Sequence, residues 1–252
     1  NIYREMNLTF TLVRRDYALQ YAGSFLGIFW MFIQNITLIV IYTFVVLIFR
    51  SETNQKFYSF LFSGLLFWLP LQEMFLRGTT LLSDNRNLIK RSSLGLGVFL
   101  NIPFYQMLIH FFITSLPVFI ILFYLSALNL QLFLFSFVFI FFCGKFIQLV
   151  ISYLARANII LKDISPVVRL TSHWFFWTLP IMYNSENSSI LEKINILNPL
   201  NIPLDLFRSV ILIDHHLQFN PLSFIPFFLF FWGIFFLSEK KVTGSPKVKK
   251  GL

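Results

Sequence analysis

Residues 103–152 read PFYQMLIHFFITSLPVFIILFYLSALNLQLFLFSFVFIFFCGKFIQLVIS, and Lys145 is the single formal charge among them. A membrane helix needs about 20 mainly apolar residues. The stretch holds two such runs, Pro103 to Ala127 and Leu130 to Ser152, joined almost directly at Leu128-Asn129. A helix that is apolar all round has no face to give to water. The stretch is therefore read as a tight hairpin of two membrane spans, with nothing at its tip to bind a ligand.

Working outward, Ser24 to Phe49 and Tyr58 to Leu82 qualify upstream, and Pro221 to Leu237 downstream. A sixth run, Pro166 to Tyr183, is short and carries Arg169 near its start, where an arginine can snorkel to the headgroups. The expectation is an all-α membrane protein of six spans. The whole chain of 252 residues agrees: mean hydropathy is +0.73, and charged residues make up 12%, against about 25% in soluble domains. This composition excludes a disordered chain, a coiled coil and almost any soluble enzyme. Cys143 stands alone, so no intrachain disulfide forms.

Six spans put both termini on one side, and the basic residues choose the side. Arg4, Arg14 and Arg15, the loop with Arg86, Lys90 and Arg91, the loop with Arg156, Lys162 and Arg169, and five tail lysines share it. The opposite side has only Arg50, Lys56, Lys193 and Arg208. Both termini are thus expected in the cytoplasm. The net charge of +9 reflects this asymmetry and not a nucleic-acid partner. The first apolar run is too long for a signal core and lacks an A-x-A site, so it reads as a retained span.

The expected organisation is an interface helix over 1–23, a six-span domain over 24–237 and a basic tail over 238–252. Before the first span, Met6, Phe10, Val13, Tyr17 and Tyr21 recur on one helical face. That pattern fits an amphipathic helix in the headgroup plane, or an ordinary juxtamembrane anchor. Asn85 to Ser92 fits a short cytoplasmic helix, interrupted by Gly95 and Gly97. Between spans five and six, Ile190, Leu191, Ile194 and Leu197 form one apolar helical pattern and Pro203 to Asp214 another. Each is too short to span, and Pro199 breaks between them. Segment 187–214 is read as external and re-entrant, with a folded external loop as the alternative.

Charged groups inside spans are the first functional candidates. Glu73 and Arg77 stand four residues apart, the spacing of an intrahelical ion pair. Lys145 has no evident partner, and snorkelling is its ordinary explanation. His110 and His173 read as hydrogen-bonded packing residues. Asp214-His215-His216 point three ways on a helix, a poor metal site, and no metal is expected. The sequence contains no G-x-x-x-x-G-K-[ST] phosphate loop, so ATP is not bound in that way. Trp30, Gln34 and Thr37 share a face of span one, with Asn35 beside it, and Trp174 and Trp177 stand on span five. Rings that stack on sugars beside amides that bond hydroxyls suit a glycan path. The same residues also suit a lipid-facing belt.

Three stretches carry a family resemblance. Arg15-Asp-Tyr-Ala-Leu-Gln-Tyr-Ala-Gly-Ser-Phe-Leu-Gly-Ile-Phe-Trp30 is one, and Asn85 to Pro103 is the second. The third combines Lys162-Asp163-Ile164, Leu179-Pro180-Ile181-Met182-Tyr183, Leu197-Asn198-Pro199-Leu200 and Phe207-Arg208. Together they resemble the ABC transporter permeases that export polysaccharides, among them the O-antigen, teichoic acid and capsule exporters. The chain departs from the family at Asn35, where proline is frequent, at Lys162, where arginine is usual, and at Leu179, where threonine is usual.

The resemblance implies a six-span permease of the bacterial inner membrane that forms a homodimer and moves polyprenyl-linked polysaccharide, O-antigen foremost. It implies no cofactor in this chain, with ATP and Mg on a separate ABC ATPase subunit. It also implies coupling to that subunit through Asn85, Lys90, Arg91, Lys162 and Asp163, and a re-entrant gate at Asn198, Pro199 and Arg208. A drug or heme exporter permease fits the Arg15 to Trp30 signature less well. An intramembrane lipid-modifying enzyme would need convergent acid, base or metal ligands, which the sequence does not offer.

The charge asymmetry generates a topology prediction. Reporters fused after Ser83 and after the last residue should read cytoplasmic, and one within residues 184–189 should read external. An external C-terminus would sink this reading.

Overall fold

The computed structural model describes residues 2–49, 55–91, 95–183, 189–213, 215 and 221–239. Arg50, the start of the loop at 184–188, Asp214, His216 and the tail from 240 lie outside the described residues. Among the described residues the protein is all-helical: α1 Ile2–Gln20, α2 Phe29–Phe49, α3 Gln55–Asp84, α4 Arg86–Arg91, α5 Leu96–Leu100 and α6 Ile102–Tyr124. There follow α7 Leu130–Ile160, α8 Ile164–Thr178, α9 Ser189–Leu197, α10 Asn201–Ile211 and, after a short 3-10 turn, α11 Phe224–Glu239. Four segments are long and apolar enough to cross a bilayer: α2, α3, α5 with α6, and α7. The protein is a multi-pass membrane protein. The helices in the fifth and sixth apolar runs, α8 and α11, are shorter.

Local chemistry sets the ends. Gly23 and Gly27 take φ of +76° and +52°, a region that side chains disfavour. The chain therefore turns between α1 and α2, and the first long helix begins at Phe29 instead of Ser24. The hairpin after α6 turns at Ser126 with φ of 53°, and Asn129 caps α7 by accepting from the Leu132 N–H at 3.3 Å. Helix α7 runs on to Ile160, past the Ser152 expected from hydropathy, because Ala155 is buried there. Helix α8 stops at Thr178, short of Tyr183. Pro180 has no N–H to continue it, and Leu179 before it is extended. The hairpin tip also joins the chain leaving α10: Asn129 N–H donates to Ile211 O at 2.8 Å, and Ile213 N–H to Ala127 O at 3.0 Å.

Helix α3 is the mast. Of its most apolar window 78% is buried, against 22% for α2 and 28% for α7, so the other helices pack around it. One core cluster follows α3 and gathers α6, α7, α8 and α10. A smaller one lies at the end of the bundle carrying α1, and joins Val13, Tyr17, Met31, Leu82, Phe99 and Ala155. The buried stripe of α1 is Thr9, Val13 and Tyr17, while Met6 and Phe10 of the expected face are exposed. The four-residue spacing of that stripe fits a helix lying against α5 and α6. Burial pushes the Tyr17 phenol well above its ordinary pKa, so it stays a neutral donor.

Glycines mark the tightest crossings. A Cβ on Gly78 of α3 would overlap Ile151 Cγ2 of α7, and one on Gly144 of α7 would overlap Met107 Cε of α6. The two clashes differ in kind. Ile151 is β-branched and stiff at the clashing atom, whereas the Met107 methyl ends a flexible chain. Gly78→Ala should therefore destabilise the detergent-solubilised protein by about 1–3 kcal/mol through overpacking. Gly144→Ala should cost less: the Met107 methyl can swing aside, the Phe104 ring at 3.2 Å must yield only slightly, and alanine has the better helix propensity. Thermal unfolding of both variants checks the contrast, and equal midpoints would contradict it.

Candidate functional site

The ion pair anticipated on α3 is present: Arg77 Nε donates to Glu73 Oε1 one helical turn away. Both side chains are about a third exposed, because they border a polar cleft of about 110 Å³. Gln34 and Asn35 of α2, Gln72 of α3, His110 of α6 and Tyr21 from the turn after α1 complete its polar lining. Asn35 does more than border it. Its Nδ2 donates to Thr114 Oγ1 at 2.9 Å, and its Oδ1 lies 2.8 Å from His110 Nε2. This buried triad ties α2 to α6. Asn35 looked like a departure from a family proline; the structure gives it two partners that were separated from it by some eighty residues.

Arg77 also borders a second, larger hollow of about 390 Å³ nearer the end of α3, with Arg15, Asp16, Gln20, Thr80 and Asn85. There Arg15 bonds Asp16 Oδ1 at 2.5 Å and also donates to Asn85 Oδ1. Asn85 in turn donates to Leu81 O at 3.1 Å. One guanidinium thus fastens α1 to the junction of α3 and α4. Sequence reading marked Arg15 and Asn85 separately, and no spacing rule could pair them.

The charged residues expected to couple to an ATPase lie on the surface. Helix α4 buries no residue, and Lys90 and Arg91 are exposed. Lys162 and Asp163 are exposed in the turn between α7 and α8. Phe67 of α3 shares a cavity lining with Phe139 and Cys143 of α7, and further along Gly78 lies against Ile151, so the two helices run parallel and both charged turns emerge at the same end of the bundle.

Trp30, Gln34, Thr37, Trp174 and Trp177 are all exposed on the outside of the protomer. The Tyr42 and Phe176 rings, 5.1 Å apart, fix the relative height of α2 and α8. Trp30 precedes Tyr42 by twelve residues, so it lies roughly 18 Å lower along the axis. The two tryptophans of α8 are not brought to the level of Trp30. Lys145, for which the sequence offers no evident partner, donates to Gln148 Oε1 at 3.1 Å and sits 3.9 Å over the Phe104 ring.

The segment after α8 is held by a knot of side-chain bonds. Asn198 donates to Thr178 Oγ1 at 2.8 Å, and its Oδ1 accepts from Leu200 N–H at 3.0 Å across the Pro199 break. The Tyr183 hydroxyl donates to Asn195 Oδ1 at 2.8 Å. Arg208 of α10 is buried, with Nη2 donating to Pro180 O at 2.7 Å and Phe60 O at 3.1 Å, and its guanidinium 3.4 Å above the Phe60 ring. Gly64 makes this possible: a Cβ there would stand 2.8 Å from Nη2. The Pro-Ile-x-Tyr, Asn-Pro and Phe-Arg pieces, spread over residues 180–208, bond one another or the residues beside them. His215, from the histidine pair, bonds Asp205 at 2.5 Å, and no cluster able to hold a metal is present among the described residues.

Because Gly64 and Arg208 serve one contact, Arg208→Leu and Gly64→Ala should each cost about 1–3 kcal/mol, the penalty for leaving buried polar groups unpaired. The double variant should cost clearly less than the sum. Unfolding midpoints of the four proteins in one detergent test this. Additive losses would mean that the contact is not shared.

No family model matches the sequence. The O-antigen export system permease protein RfbA of Myxococcus xanthus is 26% identical over 223 residues, which cover 86% of this chain and 84% of that protein. The match takes in far more than any one motif, and agrees with the resemblance read from Arg15 to Trp30 and from Lys162 to Arg208. Across most of its length, this chain is similar to that O-antigen export permease.

Proposed function

We propose that the protein is the membrane-spanning permease subunit of an ATP-driven exporter, moving lipid-linked polysaccharide, foremost O-antigen, outward across the bacterial inner membrane. The observation that carries this reading is the 223-residue similarity to a protein named as an O-antigen export permease. On this reading six segments cross the membrane, α8 and α11 included, both termini are cytoplasmic, and α9 and α10 form a re-entrant gate. Two copies assemble with two separate ABC ATPase subunits, which hold the ATP and Mg. The chain itself binds no cofactor.

The geometry suits that division of labour. A soluble motor needs an exposed, charged handle, and α4 with Lys90 and Arg91 offers one. Lys162 and Asp163 offer another at the same end. Movement of α4 would be passed on through Asn85 and Arg15 to α1, and directly into α3. The exposed face with Trp30, Gln34 and Thr37, together with Trp174 and Trp177, would meet its counterpart across the dimer and line the path. A sliding polymer must be held weakly and repeatedly. Ring and amide contacts worth about 1 kcal/mol each meet that need, where one deep site would trap the chain.

Cells lacking the protein should accumulate lipid-linked glycan at the inner leaflet and lose it from the surface. Neutralising Lys90, Arg91 and Asp163 together should reproduce this loss, with the dimer still recovered from the membrane. Surface glycan at the wild-type level in both strains would refute the exporter reading. Loss in the deletion strain alone would remove only the coupling role.

A further inference from the structure

The cleft between α2, α3 and α6 is lined by polar side chains on three of the bundle's apolar helices. Its charge balances: Glu73 and Arg77 neutralise each other, and His110 is engaged by Asn35. Neither a free anion nor a free cation finds an uncompensated partner there. What is uncommitted is hydrogen-bonding capacity. The Gln34 and Gln72 side chains form no hydrogen bond among the described residues, although each amide has two donors and a carbonyl to satisfy. Inside a bilayer such groups need a polar partner. At about 110 Å³ the cleft exceeds what a single water needs. A ligand that fits is neutral, carries both donors and acceptors, and presents them around a small ring.

We propose that this cleft is a sugar-binding subsite, seating one pyranose unit of the exported glycan between the Gln34 and Gln72 amides, the Glu73–Arg77 pair and Tyr21. The proposal rests on the exporter reading, and extends it from exposed aromatic faces to a specific pocket within one protomer. Gln34 belongs both to the cleft and to the exposed face of α2, so the subsite opens onto the proposed path. Each hydroxyl of a sugar can donate to a carboxylate or amide oxygen and accept from a guanidinium or amide N–H. A mixed, neutral lining of this kind recognises it, where an acyl chain would leave the Gln34 and Gln72 amides unpaired.

The test uses the assembled transporter in cells that make its polysaccharide, fed radioactive glucose so that the glycan is labelled. A benzophenone photocrosslinker is placed at Leu76, which borders the cleft, and as a control at Phe135, exposed on α7. Light should join labelled polysaccharide to position 76 and not to 135. Gln34→Ala with Gln72→Ala should lower that adduct about tenfold, as the loss of one or two modest hydrogen bonds implies, at unchanged protein level. The exchange Glu73→Arg with Arg77→Glu restores an ion pair while reversing the groups offered to the sugar. A purely structural pair would be rescued by it, whereas the subsite should stay impaired. Equal labelling at 76 and 135, with normal export by the double glutamine variant, would overturn the subsite and leave the exporter standing. If wild-type cells export no labelled glycan, the exporter reading falls and the subsite with it.

Discussion

The guanidinium of Arg208 is the constraint around which the irregular half of this protein is arranged. A charge taken out of water needs fixed partners, and its hydrogen bonds here go to two backbone carbonyls, with a phenylalanine face beneath. Those carbonyls belong to α3 and to the turn after α8. One side chain therefore fixes where α10 lies relative to both. Gly64 leaves the space, and Asn198 and Tyr183 close the remaining turns with their own bonds. A segment too short to span is thereby given polar partners within the protein, which is what the proposed re-entrant placement would require.

Helix α3 links that knot to the rest. Near its start it supplies Phe60 and Gly64 to Arg208. Midway it carries Glu73 and Arg77, and beyond them Gly78 against α7. At its end Asn85 meets Arg15 of α1. The side chains with most chemical potential are spread along one buried rod. On the proposed function, that rod is the mechanical connection between the surface a motor would push and the segment that would open.

Polarity is distributed unevenly around it. The hollows near Arg15 and near Glu73 share Arg77, so polar groups continue from the α1 end into the bundle. On the other side of the bundle, Phe67, Phe139 and Phe142 line an apolar cavity of about 320 Å³ with Pro203 and Phe227. One flank thus presents polar side chains and the other apolar ones.

Much of the fold was written in the sequence, because the bilayer tolerates few solutions. Long apolar runs can only be helices, and their hydropathy alone located α2, α3, α6 and α7. Helical periodicity gave α9 and α10, and Pro199 gave the break between them. Glycine and proline chemistry decided ends that hydropathy overran, at Gly23, Gly27 and Pro180. The partners could not be read in this way. Whether Met6 or Thr9 of α1 would be buried, and whether Lys145 would find Gln148, depended on which neighbours arrived. The meeting of Asn35 with His110 and Thr114, of Arg15 with Asn85, and of Arg208 with Phe60 and Pro180 joins residues some thirty to a hundred and fifty positions apart. Local sequence fixes what each side chain can donate or accept. Only the packing of helices around α3 decides which donor meets which acceptor, since that is settled by shape and distance across the bundle.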